Sequence, residues 1–172
     1  PTKKIMEPIK GFCWYSKGLY NNASHFFNLF EYWLGSFKSG KLINLNHKWF
    51  ENDPDLDFIA YFEKGSIIFQ SGWEEHFSHS YIELLSRSGR LIYENGGKKI
   101  LWQNIQIDNE FPKYKLLNEE SEIIPNSRNI YQFEVMNMIS NAMKGKDYFL
   151  CDGYEAFKTV ESLNKIENQN ES

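Results

Sequence analysis

Apolar side chains recur at helical spacing in the segment SHFFNLFEYWL, and this pattern predicts a helix over roughly residues 24–34. Asn21, Asn22 and Ser24 carry side-chain oxygens that could cap the first amides of this helix. Gly35 follows the last apolar residue, where a glycine commonly ends a helix because it adopts positive φ without strain. The pattern therefore sets both ends of one helix near the start of the chain.

A long alternating region follows this helix. From about residue 42 to 105, apolar and polar side chains alternate with a period of two, which is typical of half-buried strands. The strand-like runs are LDFIAYFE, GSIIFQSGW, SYIELLS, GRLIYE and KKILWQNI. Turn signals such as Asn95-Gly96-Gly97 separate them, so we expect an antiparallel meander. Another short strand is expected before the helix, over residues 11–15.

Two further helices are expected at the end of the chain. The first covers about residues 128–144 and ends at Gly145. Asp152 and Glu155, three residues apart, form the capping-box pattern that begins the second. The inner face expected for the second helix consists of Ala156, Val160 and Leu163. The polar tail after Ile166 is expected to fray.

This order of elements predicts one α+β domain over residues 1–172. We expect a single, largely antiparallel sheet with helices on one face, while the other face stays open for self-association. Ile67, Phe69 and Trp73 are expected on the open face, where they would be costly to leave in water.

Composition narrows the classes of function. The net charge is −4 and no cluster of Lys and Arg occurs, which argues against a nucleic-acid partner. The apolar runs are too short to span a bilayer and no secretory signal is visible, so a cytoplasmic protein is expected. Cys13 and Cys151 are far apart in the chain, and we expect two free thiols.

The segment GSFKSGK resembles a phosphate-binding loop but fails two tests of that motif. Leu42 follows the lysine where the motif needs Ser or Thr, and a helix precedes the segment where a strand is needed. The glycine fingerprint of dinucleotide-binding domains is absent from the sequence, so this chain is not expected to bind a nucleotide cofactor.

Two acidic segments resemble metal sites only in part. Asp53, Asp55 and Asp57 are spaced as in a calcium loop, but the required glycine and glutamate are missing, and we expect a solvated hairpin turn. The segment EEHFSH, residues 74–79, holds two histidines that would point to opposite faces of a strand. No metal site is therefore expected.

His25 is the candidate for acid–base chemistry. On the predicted helix it shares a partly polar stripe with Asn28 and Tyr32. The buried stripe consists of Phe26, Leu29, Phe30 and Trp33. A position in the first helical turn favours a neutral imidazole, which could accept a proton near pH 7. A histidine that is simply satisfied by a neighbour remains the alternative.

These residues resemble a motif of the Gfo/Idh/MocA family, the relatives of glucose–fructose oxidoreductase and inositol dehydrogenase. Asn21, His25 and Asn28 have the motif's spacing, and an aromatic helix ending in Gly35 follows. The turn Ser88-Gly89-Arg90-Leu91 and the closing segment YQFEVMNMISNAMKGKDYFLCDGYEAFKTVESLNKI follow in the family's order. The closing segment resembles the family's last two helices, with its DG.EA junction at residues 152–156.

The resemblance implies that this chain is only the C-terminal substrate domain of such an enzyme. The family's N-terminal Rossmann domain binds NAD or NADP and carries a catalytic lysine, and neither feature is present here. The chain is then a fragment or a separately expressed half, inactive alone. The family usually has Asp where this sequence has Asn21 and Asn28, and an amide cannot serve as a base.

The resemblance also implies residue roles. His25 would relay the proton of a hydroxyl on a sugar, sugar nucleotide or polyol, and Asn21 would position that substrate. Lys17, Tyr20 and Tyr15 would lie at the rim, with Lys17 near a phosphate or carboxylate. The open sheet face would join subunits into a dimer or tetramer. The rival interpretation is a non-catalytic assembly or carbohydrate-binding module, in which His25 would be sealed in the core.

Overall fold

The computed structural model describes residues 5–171, except for the side chains of residues 47–49 and 170–171. A largely antiparallel sheet and three α-helices make up the described chain, as the sequence predicted. The strands are β1 (Ile9–Tyr15), β2 (Phe37–Phe50), β3 (Asp53–Phe62), β4 (Gly65–Ser71), β5 (Tyr81–Ser86), β6 (Gly89–Glu94), β7 (Lys99–Ile107), β8 (Lys115–Leu117) and β9 (Glu122–Ile123). The helices are α1 (Ser24–Leu34), α2 (Tyr131–Met143) and α3 (Gly153–Glu167), and a π-helical turn over Leu19–Ala23 leads into α1.

The sheet has the strand order β2-β3-β4-β1-β5-β6-β7-β8, and β9 pairs with β7. β1 lies between β4 and β5 and runs parallel to β4. The predicted meander is therefore wrong at one place, because the first strand of the chain separates β4 from β5. The hairpins β3–β4, β5–β6 and β6–β7 pair as expected.

The core lies between one sheet face and the helices α1 and α3. Residues paired across a sheet share a face, so Phe58, Phe69 and Cys13 form one buried row. The rings of Phe58 and Phe69 stack with centroids 4.4 Å apart. Phe27 and Phe30 of α1 pack on the Phe69 ring at 6.0 and 5.5 Å. Burying each such ring stabilises the fold by roughly 1.5–3 kcal/mol, so this aromatic row fixes α1 on the sheet.

The opposite face of the sheet is open, but its residues differ from those expected. Ile67 and Phe69 are fully buried on the helix-covered face, and Trp73 lies after the end of β4. The prediction was one residue out of phase, and a shift of one residue along a strand moves a side chain to the other face. One row of the open face runs through Ile59, Ile68, Phe12, Glu83, Ile92 and Leu101.

The helix α2 lies largely apart from the rest of the described chain. None of its residues is buried, and Phe133 and Met136 are 64% and 63% exposed. The predicted span of about 128–144 matches α2 together with the 3-10 turn Arg128–Ile130 before it, yet the structure leaves the apolar side of α2 uncovered. An isolated helix of 13 residues is marginal in water, and the described residues bury none of the side chains of this helix.

The helix α3 begins at the predicted capping box, in which Asp152 accepts from the Glu155 N–H. Its buried residues are Thr159, Ser162, Leu163 and Ile166. Ala156 and Val160 are exposed, so the predicted inner face was correct only at Leu163. The tail does not simply fray either, because the Gln169 side chain donates to the carbonyl of Gly40 in β2.

No helix among residues 5–171 is long and apolar enough to cross a membrane.

Candidate functional site

Two clefts meet at His25, whose side chain is exposed. The first, which we call the Lys17 cleft, has a volume of about 760 Å³ and is bordered by Lys17, Asn22 and Tyr93. The second, which we call the Cys151 cleft, has a volume of about 720 Å³ and lies between α1 and the start of α3. The pattern of α1 that buries its aromatic side leaves His25 accessible from both.

Two buried carboxylates hold the backbone that leads into His25. Asp53 accepts hydrogen bonds from the N–H groups of Tyr20 and Asn21, at 2.8 and 3.0 Å. Asp55 accepts from the N–H of Gly18 at 2.9 Å. Asp53 and Asp55 are only 8% and 3% exposed, so the expected solvated hairpin turn is wrong.

These carboxylates also change the expected capping of α1. No side chain caps α1, because the helical backbone begins earlier, at Leu19. Its first free amides therefore meet Asp53 and Asp55, two negative charges that offset the positive end of the helix dipole. His25 therefore lies beyond the first helical turn, and the prediction that placed it in that turn is wrong.

Lys17 is held at the cleft by a half-buried acid whose role sequence reasoning missed. Glu74, with a side chain 10% exposed, forms an ion pair with the Lys17 ammonium at 3.1 Å. Ser16 donates its hydroxyl to the same carboxylate at 2.6 Å. Burial acts to raise the pKa of Glu74, but hydrogen bonds from Ser16, Lys17 and Ser78 outweigh it and lower that pKa. The two consecutive acids at 74–75 were the signal in the sequence.

The two asparagines of the predicted motif are placed differently. Asn21 is exposed, and its side-chain amide donates to the carbonyl of Lys17 at 3.1 Å, while the neighbouring Asn22 borders the cleft. Asn28 lies at the Cys151 cleft and donates to the hydroxyl of Thr159 at 3.3 Å. That hydroxyl donates to Glu31 at 2.7 Å, so this chain of contacts joins α1 to α3.

The two predicted rim tyrosines do not reach the cleft mouth. Tyr15 is fully buried, and its hydroxyl accepts from the N–H of Leu56 at 2.8 Å and donates to the carbonyl of the same residue at 2.6 Å. Tyr20 is half-buried and donates to Glu167. Burial and the contact with Glu167 raise the pKa of the Tyr20 hydroxyl. Both tyrosines tie elements of the fold together.

The start of the helical segment before His25 is occupied by carboxylates from the sheet. Among residues 5–171, no group of three or more His, Cys, Asp and Glu side chains comes together as a metal site. A pyrophosphate would need free amides at a helix start, yet at the junction of β1 and α1 the amides of Gly18, Tyr20 and Asn21 already meet carboxylates. These carboxylates would repel a pyrophosphate.

No family profile matches the sequence, and no curated protein matches it. Several solved structures share its fold. An NAD-binding oxidoreductase from Klebsiella pneumoniae matches 98% of this chain at 11% identity with a TM-score of 0.68. A dehydrogenase from Clostridium difficile matches 98% at 11% identity with a TM-score of 0.65. A UDP-N-acetylglucosamine 3-dehydrogenase from Acidithiobacillus ferrooxidans matches 94% at 7% identity with a TM-score of 0.64.

The matched part is only about half of each of these proteins. This chain covers 58%, 56% and 53% of their respective lengths. Because the identities are so low, the similarity shows a common fold, and the activities in these names belong to those proteins.

Proposed function

We propose that this chain is the substrate-binding part of an NAD(P)-dependent oxidoreductase of the Gfo/Idh/MocA family, acting on a hydroxyl of a sugar, sugar nucleotide or polyol. The observation that carries the proposal is the exposed His25 at the meeting point of two clefts. The fold shared with oxidoreductases over nearly the whole chain supports it. The motif around His25 and its order along the chain agree with it.

In this proposal His25 accepts the proton of the reacting hydroxyl. A ring nitrogen of His25 approaches the hydroxyl from the helix side, and Asn22 and Lys17 offer hydrogen bonds to the other hydroxyls. NAD or NADP is bound by a part of the protein outside these residues, because the β1–α1 junction does not suit a pyrophosphate. The chain itself contributes binding, orientation and proton transfer.

The cofactor-binding part is expected to cover the apolar side of α2. Phe133, Met136 and, in α3, Phe157 are more than 60% exposed, and Tyr148 and Phe149 lie beside the Cys151 cleft. Tyr148 and Phe149 follow α2 in the chain, so exposed aromatic side chains after this helix border the cleft that contains His25. Hydrogen exchange tests it: the amides of α2 should be protected only when the cofactor-binding part is present. Equal protection of α2 in both forms would contradict this arrangement.

Self-association through the open sheet face is a second part of the proposal. The row through Ile59, Ile68 and Phe12 is apolar, and Tyr61 and Leu85 on the same face are 43% and 47% exposed. Sedimentation of the purified chain should show a dimer or tetramer that Ile68→Lys dissociates. A monomer at high concentration would contradict this part of the proposal. If the chain binds a sugar and self-associates but never supports turnover, the non-catalytic module is the better interpretation.

Turnover of the protein that also carries the cofactor-binding part tests the catalytic proposal. His25→Ala should lower kcat by about two to four orders of magnitude, the usual contribution of a positioned acid–base group. The fold should survive, because His25 is exposed and its replacement by Ala removes little packing. His76→Ala, at another exposed histidine, is the matched control and should leave kcat unchanged. Equal turnover in the His25 variant and the wild type would overturn the proton-transfer role.

A further inference from the structure

The Lys17 cleft is cationic although the chain as a whole is acidic. The net charge of the chain is −4, yet Lys17 and Arg128 border this cleft and no carboxylate is among its lining residues. Glu74, which is not among these lining residues, forms an ion pair with Lys17 at 3.1 Å. Arg128 differs, because within the described part of the chain no carboxylate forms an ion pair with it. The cleft therefore keeps one uncompensated guanidinium.

Arg128 packs on an aromatic ring and lies near a tight turn. Its guanidinium carbon lies 4.8 Å from the centre of the Tyr131 ring, a cation–π contact. On another side, its Nη2 is 3.8 Å from the position that a Cβ would occupy at Gly96. Gly96 has a φ of +62°, so a glycine suits this turn and keeps the approach open. The contact with the Tyr131 ring does not use the hydrogen-bond donors of the guanidinium.

The positive charge of Arg128 acts on Tyr93, another residue that borders the cleft containing His25. Tyr93 borders the same cleft, and burial raises the pKa of its hydroxyl, while the positive charge of Arg128 acts in the opposite direction. Asn126 accepts from the N–H of Arg128 at 3.0 Å and also borders the cleft. The guanidinium, two asparagines and His25 thus line one continuous space.

We propose that this cleft binds a phosphorylated sugar, with Arg128 holding the phosphate and the sugar hydroxyls turned toward Asn22 and His25. This inference rests on the proposed function and names its substrate class. A guanidinium presents planar, paired donors that match a phosphate. The cleft volume of about 760 Å³ lies in the range for drug-sized ligands, so a sugar has room for an attached phosphate or nucleoside diphosphate.

Calorimetry on the chain tests the subsite without any turnover. Four probes are used: a neutral hexose, the corresponding uronic acid, the hexose phosphate and the UDP-hexose. Both phosphorylated probes should bind at least about tenfold more tightly than the neutral hexose and the uronic acid, as expected when charge-assisted hydrogen bonds are added. The better of the two phosphorylated probes shows whether a nucleoside is also held.

Variants of Arg128 assign the phosphate to this residue. Arg128→Gln should weaken the phosphorylated probes by about 10- to 100-fold and leave the neutral hexose unchanged. Arg128→Lys should fall between the wild type and Arg128→Gln, because it keeps the charge and loses the paired donors. Arg87→Gln makes the same change of charge at an exposed turn outside the cleft and should have no effect. Melting temperatures of the variants confirm that each is folded.

Several results would overturn this inference. They are equal binding of neutral and phosphorylated probes, an unchanged affinity in Arg128→Gln, and no binding of either phosphorylated probe at about 1 mM, the weak end of ligand affinity. Tight binding of the uronic acid would show a carboxylate site instead. The oxidoreductase proposal fails separately, if His25→Ala leaves turnover intact.

Discussion

Replacing Asp53 by Asn should destabilise the fold, because an amide side chain has one acceptor oxygen and cannot accept both backbone hydrogen bonds through separate oxygens. In the wild type Oδ1 accepts from the N–H of Tyr20 and Oδ2 accepts from the N–H of Asn21. Asn has one acceptor oxygen and one NH₂ group, so one backbone donor would face another donor in a site that is 8% exposed. Losing a charge-assisted hydrogen bond and leaving a buried N–H unpaired should together cost about 2–4 kcal/mol.

Urea unfolding of the two forms measures this cost, and the chain offers a matched control. Asp108 also accepts from two backbone N–H groups, those of Glu110 and Phe111, but through Oδ1 alone and in an exposed turn. Asp108→Asn can keep that oxygen in place and should cost less than about 1 kcal/mol. If Asp53→Asn costs no more than this control, the buried carboxylate does not organise the approach to His25.

Three further predictions concern the side chains of Cys13, Tyr15 and Glu74. An aromatic disulfide reagent should modify exposed Cys151 in the folded chain and Cys13 only after unfolding, because burial shields the Cys13 thiol and raises its pKa. Fast modification of both cysteines in the folded chain would contradict the burial of Cys13. Tyr15→Phe should lower the unfolding free energy by about 2–4 kcal/mol, because both backbone groups of Leu56 lose their partner, and an unchanged urea midpoint would contradict this. Because the pKa of Glu74 is lower in the folded state, its ionised side chain stabilises the fold at pH values above its ordinary pKa of 4.5, and this stability is lost as the pH falls through the lower pKa of the folded state. Glu74→Gln should therefore make the free energy of unfolding less dependent on pH in acid. An unchanged pH dependence in this variant would contradict the prediction.

Local pattern predicted most of the elements of this fold. Phe26 and Phe30 are buried in α1 as predicted, whereas Leu29 and Trp33 are only partly buried and the buried Phe27 and Leu34 were missed. The alternation of Leu56, Phe58 and Ala60 predicted the buried face of β3. Such patterns report which side of one element is apolar, and each element here has one dominant side. The insertion of β1 between β4 and β5 could not be predicted in the same way, because pairing partners distant in sequence leave no local signal.

Polar residues were harder to place than apolar ones. Asp53 and Asp55 look like a solvated turn in sequence, and only the approach of the segment 18–21 makes them buried acceptors. Tyr15 carries a hydroxyl that suits a rim as well as a core, and its partner Leu56 lies 41 residues away in the chain. Arg128 joins the His25 cleft only because the irregular segment before α2 returns to the turn at 95–97.

In the proposed function, His25 meets the substrate in an open cleft. The most direct measurement is the ¹⁵N spectrum of the histidine rings during titration of the chain with the UDP-hexose. The ring signals of His25 should shift in proportion to bound ligand, while those of exposed His76 should stay unchanged. Ring signals of His25 that do not move when calorimetry shows the ligand fully bound would contradict the role of His25 in substrate binding.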